Sequence, residues 1–355
     1  MFSMKHPNNV PSSWEGYFID ELEYGKGYGL INKLVMATKV VYSLEAKKKL
    51  SKLLDDFAAD IAHSHCIYHH LSPSILVELR RREIPSVMTA HDLKIACPAY
   101  KMFNDSGVCE RCRDGSYLPL VRNRCIHNSL PASMLVAIES GVHKLLGLYR
   151  DNLDKIIVPS VFYRDKLVEW GWNKDVIEYV PNYINIEKHE PNYSPGKYAL
   201  YFGRLAPEKG VGTLIQAALN SGIMLKIAGT GPIEENLGKL AFGHDNIELL
   251  GYVGGGGLWE LVRNARVVVL PSEWYENAPL SILEAYACGK PVIGSRIGGI
   301  PEMVNEGVTG WLFNSMDEGE LADMLEKVFS MNDADIARIG KSARDAVTIE
   351  YTKEL

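Results

Sequence analysis

Residues 265–299 read ARVVVLPSEWYENAPLSILEAYACGKPVIGSRIGG, and the fold is decided there. The run RVVVL at 266–270 is β-branched and short, right for a strand buried on both faces. Residues 271–278 make a polar loop. Pro279 stands where a first helical residue would, and Gly289 where a helix stops. The run PVIGS at 291–295 returns as a second strand. Glu276 and Glu284 have seven residues between them. The first falls in the loop and the second about two turns along. The N–H groups at this helix start, around Asn277, Ala278 and Leu280, are free to hold an anion. Carboxylates beside such a site suit hydroxyl-rich ligands, because an ionised carboxylate only accepts hydrogen bonds. Phosphate joined to sugar is the ligand class this pattern suggests.

Working outward, the same alternation continues on both sides. Strands are expected at 198–203, 224–228, 246–250 and 311–313, with helices at 211–219, 233–241, 258–264, 301–304, 318–329 and 334–350. Upstream, strands at 60–66, 85–90, 154–159 and 176–180 alternate with helices at 72–82, 132–149 and 161–170. Residues 30–57 read as one helix. This alternation predicts parallel sheets covered on both faces. The polar, Pro-bearing stretch PNYINIEKHEPNYSPGK at 181–197 is the best boundary. It gives a first domain over 1–182, a linker over 183–197 and a second domain over 198–355, whose last helix is directed back toward the first. The spaced glycines of YGKGYG at 24–29 read as a flexible loop rather than a phosphate loop, since no strong strand precedes them. The run GGGG at 254–257 lacks the polar cap expected before a helix.

The chain has 355 residues, enough for two domains of ordinary size. Hydrophobic residues are 46% and charged residues 23%, a soluble globular balance. A net charge of −6 argues against a general nucleic-acid binder. No apolar run reaches the roughly 20 residues of a membrane span, and MFSMKHPNN has no apolar signal core. The expected location is cytoplasmic, with association at the inner face of a membrane left open because that needs only a patch. Four of the six cysteines, Cys97, Cys109, Cys112 and Cys125, share one irregular segment. Without a secretion signal a disulfide framework is not expected. The C-x-x-C with two flanking cysteines reads either as a structural zinc knuckle or as buried reduced thiols. Four thiolates leave no open position on a metal, so either role is structural.

In a doubly wound sheet, ligands bind beyond the carboxyl ends of the strands. Gly203 and Arg204 open a loop that closes on Lys209 and Gly210. Arg204 can fork onto one phosphate while Lys209 supplies a point charge, although a solvated surface turn has the same composition. Gly229 and Gly231 start the next helix. Gly251, Tyr252 and Val253 follow, where backbone can read a nucleobase edge with Tyr252 as cover, or Tyr252 can be core. Then come the Glu276 loop and the glycines of 295–299. Five successive strand ends of this kind are harder to dismiss as turns than any one alone.

GRLAPEKG (203–210), IAGTGP (227–232), LGYV (250–253) and ENAPLSILEAYACGKPVIGS (276–295), in that order and spacing, resemble the retaining nucleotide-sugar glycosyltransferases of family 4. The resemblance implies an α/β GT-B fold, two Rossmann-like domains with parallel sheets facing across a cleft. It implies a nucleoside-diphosphate sugar as donor, with Arg204 and Lys209 holding the diphosphate and Gly203 and Gly229 among the donor-binding residues. Glu284 would take the ribose hydroxyls, Glu276 the hydroxyls of the transferred sugar, and the backbone of Asn277, Ala278 and Leu280 the phosphate and sugar. Tyr252 and Val253 would receive the base. No metal or other cofactor is implied for catalysis. His91, in TAHD, corresponds to a histidine near the reacting sugar and joins Glu276 as a catalytic candidate, against a structural role. His63 and His65 share one strand face and read as acceptor-pocket lining, a metal pair or a solvated strand end. The implied reaction is hexosyl transfer with retention to a hydroxyl of a glycan or lipid-linked glycan, in cell-surface polysaccharide synthesis. The alternatives are a non-catalytic nucleotide-sugar binder or another GT-B enzyme such as a sugar-nucleotide epimerase. One departure is expected. The family's opening strand, glycine loop and helix have no counterpart here, which bears on acceptor binding more than on the donor.

Overall fold

Short strand-forming runs between amphipathic segments favour parallel sheets with helices over both faces. The computed structural model, which describes residues 1–21, 30–104 and 106–352, contains two such sheets. The glycine run at 24–29 lies outside the described residues. The chain divides into two units. One comprises Met1–Asn104, Cys109–Val158 and Arg164–Val180, the other Asp105–Val108, Pro159–Tyr163 and Pro181–Leu355.

In chain order the early elements are α1 (Leu30–Val41), α2 (Leu44–Asp56), β1 (Ala62–His65), α3 (Ser74–Arg81) and β2 (Ser86–Thr89). Two-residue strands β3 (Phe103–Asn104) and β4 (Gly107–Val108) precede α4 (Leu118–Arg122) and α5 (Leu130–Leu145). Then come β5 (Lys155–Val158), α6 (Val161–Glu169) and β6 (Ile177–Tyr179). The sheet of the first unit runs β1-β2-β5-β6, all parallel, with Ala62 opposite Ser86 and Ile156 opposite Ile177. The single helix expected over 30–57 is in fact two. At the break, extended Ser43 turns its Oγ to accept from the Ala46 N–H at 3.1 Å, a helix N-cap. Its own N–H donates to Ser72 Oγ and its carbonyl accepts from Ser74 Oγ, so a buried serine cluster fixes the corner.

The second unit holds β7 (Ala199–Phe202), α7 (Val211–Ser221), β8 (Leu225–Ala228), α8 (Glu234–Ala241), β9 (Ile247–Gly251) and α9 (Gly255–Arg263). It continues with β10 (Val267–Leu270), α10 (Leu280–Ala287), β11 (Val292–Ser295), α11 (Ile300–Met303), β12 (Gly310–Phe313), α12 (Glu318–Ser330) and α13 (Asp333–Glu350). Alternate residues feed opposite faces, as strand geometry requires. Ala199, Tyr201, Val267 and Val269 join α7 and α12 in one core, while Leu200, Val268 and Leu270 join α10 in the other. Val267, Val268 and Val269 are each 0% exposed, a burial worth about 1.5–3 kcal/mol per side chain. The sheet order is β12-β11-β10-β7-β8-β9. From β7 the chain steps out through β8 and β9, then returns to β10 on the other side. Ala199 of β7 is the register partner of Val267 of β10. The order therefore reverses between β7 and β10, where open α/β sheets bind ligands.

Helix α13 packs along α10 through Ala343 and Val347. The polar stretch expected as a linker is bonded into this unit. The Ile184 N–H donates to Tyr351 O at 2.9 Å, Lys290 Nζ to Ser194 O at 2.8 Å and Arg344 to His189 O at 2.9 Å. The glycine run also differs from expectation, since α9 begins inside it with Gly254 as a cap that has no side chain. Among the described residues, no helix is long and apolar enough to cross a membrane.

Candidate functional site

The reversal sets the loops after β7 and β10 side by side, and hydrogen bonds lock them together. The Glu273 N–H donates to Glu208 O at 3.0 Å, and Thr213 Oγ1 donates to the Glu273 carboxylate at 2.6 Å. Lys209 and Glu276, 67 positions apart, meet at 2.7 Å between Nζ and Oε1. Ser272 Oγ donates to the same Oε1 at 2.7 Å. Both bonds land on one oxygen, and among the described residues nothing bonds to Oε2. Lys209 Nζ also stands 5.0 Å from the Trp274 ring centroid, within cation–π range. Glu276 is 7% exposed, so the pair is largely shielded from water. Arg204, by contrast, is exposed, while its carbonyl is fixed by the Tyr201 hydroxyl at 2.8 Å.

The neighbouring strand ends pack backbone against backbone. The Gly229 N–H donates to Gly251 O at 2.7 Å, and the Gly203 N–H to Ala228 O at 3.0 Å. A Cβ on Gly229 would stand 1.8 Å from Gly203 O, so no other residue allows this approach. Tyr252 is 80% exposed, which rules out its reading as core. Val253 is half-buried beside it. On the other side, Gly298 has φ +59°, and its Cβ would stand 2.4 Å from Glu276 O. The Gly299 N–H donates to that carbonyl at 2.8 Å. The loop after β11 therefore clamps Glu276 through its main chain. Ser295 and Ser315 hydroxyls both donate to Ser272 O, at 2.7 and 3.0 Å.

Pro279 is the N-cap of α10, one place before the first helical position expected for it, and no side chain caps the helix. The N–H groups of Leu280 and Ser281 lead the helix, and the Ile282 N–H turns back to Pro279 O. Asn277 Oδ1 accepts from Ser160 Oγ at 2.8 Å, and Ala278 O from Asn182 Nδ2 at 2.8 Å. Glu284 lies on α10 past its first turn, and nothing among the described residues bonds to its carboxylate. Burial pushes that carboxyl above the usual range. The two glutamates thus differ in kind: Glu276 is engaged and Glu284 is unpartnered.

His91 follows β2 in the first unit. Its Nε2 lies 2.8 Å from His65 Nδ1, and His63 Nε2 lies 2.7 Å from Thr89 Oγ1. The rings of His63 and His65 are 4.3 Å apart between centroids. Burial first, then repulsion from His65, pulls His63 and His91 below the ordinary histidine value. The pairing of His65 with His91 was not read from the sequence, since His65 ends β1 and His91 lies in the loop after β2. The expected zinc knuckle fares differently. Cys97, Cys109, Cys112 and Cys125 do line one cavity, of about 20 Å³, and all are free thiols. Burial pushes the Cys97 thiol up to about 12. Yet among the described residues no group of three or more His, Cys, Asp or Glu side chains is placed as it would be around an ion. That placement gives the zinc and His63–His65 metal readings no support, and of the four thiols Cys97 and Cys112 are buried while Cys109 and Cys125 are half-buried.

Two parallel α/β sheets in two units, with a switch point in the second, match the GT-B fold of solved structures. Sucrose-phosphate synthase from Thermosynechococcus elongatus superposes with a TM-score of 0.70 at 21% identity, covering 100% of this chain and 85% of that one. The UDP-glucose complex of HepE from Anabaena superposes at 0.65 with 15% identity, covering 99% and 95%. The family model for Glycosyl transferases group 1 matches residues 183–346. Among curated proteins, the sulfoquinovosyl transferase SQD2 of Arabidopsis thaliana is 32% identical over 213 residues, 54% of this chain and 41% of that protein. A glycogen synthase of Mycobacterium tuberculosis is 29% identical over 289 residues, 75% of this chain and 65% of that protein. An uncharacterized glycosyltransferase of Methanocaldococcus jannaschii is 30% identical over 49% of either chain. The chain spans about half the length of the curated relatives it matches.

Proposed function

We propose that this chain is a retaining glycosyltransferase of the family 4 type, which passes a hexosyl group from a nucleoside-diphosphate sugar to a hydroxyl of a glycan or lipid-linked glycan. The observation that carries the reading is the Lys209–Glu276 pair at the sheet reversal, with Glu276 Oε2 left over. A carboxylate fixed through one oxygen and open at the other is suited to accept from sugar hydroxyls. Lys209, held by that carboxylate, supplies a point charge for phosphate. Arg204, exposed beside it, can fork onto the diphosphate, and the leading N–H groups of α10 add positive potential. Charge that develops on the departing diphosphate is then met by groups already in place. Glu284 takes the ribose hydroxyls, which relieve a carboxylate that burial has left unsatisfied. Gly203, Gly229, Tyr252, Val253, Asn277, Ala278 and Leu280 shape the rest of the donor pocket. His91 is assigned to the reacting sugar, and its neutral ring can donate to or accept from a hydroxyl. The reading needs no metal for transfer. It places the protein in polysaccharide synthesis in the cytoplasm, at or near a membrane that presents the acceptor.

A thermal-shift series with UDP-, GDP- and ADP-sugars tests the donor half. A donor at a hundred times its Kd stabilises the fold by about 2.7 kcal/mol. No shift with any of them would sink the proposal. Release of nucleoside diphosphate only when acceptor is added separates a transferase from a mere binder.

A further inference from the structure

The first unit contains a cavity of about 80 Å³ lined by none of the residues assigned to the donor. Its walls come from four separated segments. They are the stretch after β2, the cysteine-bearing insertion, the end of α5 with the turn beyond it, and the end of α6. Two buried polar atoms on its lining have no hydrogen-bond partner, Tyr149 Oη and Trp170 Nε1. Tyr149 is 9% exposed. An orphaned buried donor costs about 1–3 kcal/mol, so a native fold that keeps two of them on the lining of one cavity calls for an explanation. An indole N–H can only donate, and a phenol has a proton to donate. Arg113, Lys144 and Arg150 stand exposed around the same cavity, and among the described residues none of the three is in an ion pair. Arg150 lies over the Trp172 ring, 5.3 Å from its centroid, which leaves its guanidinium edge free. No aspartate or glutamate is among the lining residues. The nearby Glu139 is paired with Lys94 Nζ at 2.9 Å, and His69 Nδ1 stands 3.2 Å from its other oxygen.

We infer that this cavity binds a phosphate-type oxyanion, with Tyr149 and Trp170 donating from its floor and Arg113, Lys144 and Arg150 closing round its rim. A phosphate-type oxyanion presents several acceptor oxygens, enough to satisfy both donors, and fits a space of this size. The site is separate in sequence from the donor loops and does not depend on the proposed reaction. It also gives the cysteine insertion a purpose, because that segment carries Arg113 into the wall beside buried Cys112.

The test follows the indole N–H signal of Trp170 by ¹⁵N NMR on the full chain, assigned with Trp170→Phe, during titration with inorganic phosphate at constant ionic strength. The Arg204→Ala/Lys209→Ala background removes phosphate binding at the donor loops. The signal should move and saturate in the millimolar range. Lys144→Gln and Arg113→Gln should each weaken the response about tenfold, the scale of one charge-assisted hydrogen bond. Both positions are exposed, so these variants keep the fold. A second arm compares sn-glycerol 3-phosphate with phosphatidylglycerol vesicles, with phosphatidylcholine as blank. A response to the soluble ester alone assigns a small phosphorylated ligand, and one to vesicles assigns a lipid headgroup. The inference is overturned if chloride moves the signal as phosphate does. It is equally overturned if nothing moves it, or if the Lys144→Gln/Arg113→Gln double variant responds like the parent. None of these results bears on nucleotide-sugar binding, which the thermal-shift series reads separately.

Discussion

The two sheets are built from the same parts and end differently. In the second unit the strand order reverses between β7 and β10, a shielded ion pair forms at that reversal, an exposed arginine follows β7 and an unpartnered glutamate lies on α10. In the first unit the order β1-β2-β5-β6 runs outward without a turn, and its polar groups are distributed in two places. Three histidines stand at the ends of β1 and β2, and the basic cavity is assembled from loops and helix ends. The contrast shows what a switch point does. It brings residues far apart in sequence to one spot using strand order alone, where the other sheet needs an insertion to do comparable work.

The most damaging test of this contrast is Gly298→Ala. The new methyl would strike the Glu276 main chain at a positive φ, and the loss should exceed about 3 kcal/mol. Melting should show the second unit destabilised and donor binding gone. Arg204→Ala comes next, with donor affinity down about tenfold to a hundredfold by calorimetry and the melting temperature unchanged, because that side chain is exposed. Unaltered affinity there would break the diphosphate assignment.

Glu284→Gln should show its effect through pH. Burial raises this carboxyl in the folded chain, so the folded state binds its proton more readily than the unfolded one. Its ionised form therefore costs stability as pH rises through the raised value. The glutamine variant should melt higher than the parent at neutral pH, and the difference should shrink as the pH drops below that range. Donor affinity of the parent should weaken over the same fall in pH, while the variant's weaker affinity stays flat. The smallest effect belongs to the first unit. Ser43→Ala removes a helix cap, should cost about 1 kcal/mol and should leave donor binding alone. A change in donor affinity in that variant would mean the two units are not energetically separate.

The legibility of the sequence follows the same division. Val267–Leu270 could be read as a strand because burial on both faces leaves an unbroken apolar run, and Gly203, Gly229 and Gly251 marked its neighbours' ends. The reversal itself was not written in any one segment, nor was the meeting of Lys209 with Glu276, since pairing across 67 positions is a product of strand order. The break at Ser43 was missed for a local reason. Val40-Val41-Tyr42 keeps the apolar rhythm of a helix, no glycine or proline interrupts it, and the residue three past the cap is Ala46 rather than a glutamate that would complete a capping box. The start of α9 was misplaced because four glycines look like a loop to propensity, yet tertiary packing of Val262 and its neighbours carries the helix into them. The spacing of the four cysteines fits a zinc knuckle or buried thiols alike, because spacing is silent on where the side chains converge. The basic cavity left no motif at all, because Arg113, the Lys144–Arg150 stretch and Trp170 come from three different segments.

The main-chain contact between Gly229 and Gly203 has a bearing on how such a protein can diversify. Wherever two backbones touch without a side chain between them, substitution is closed, and that part of the pocket is inherited unchanged by every variant that still folds. Freedom to alter ligand preference is then confined to the positions that project past this rigid floor, Tyr252, Val253 and Arg204 above all. A library randomised at those three should yield folded proteins with shifted donor choice, whereas one randomised at the glycines should yield mostly insoluble chains.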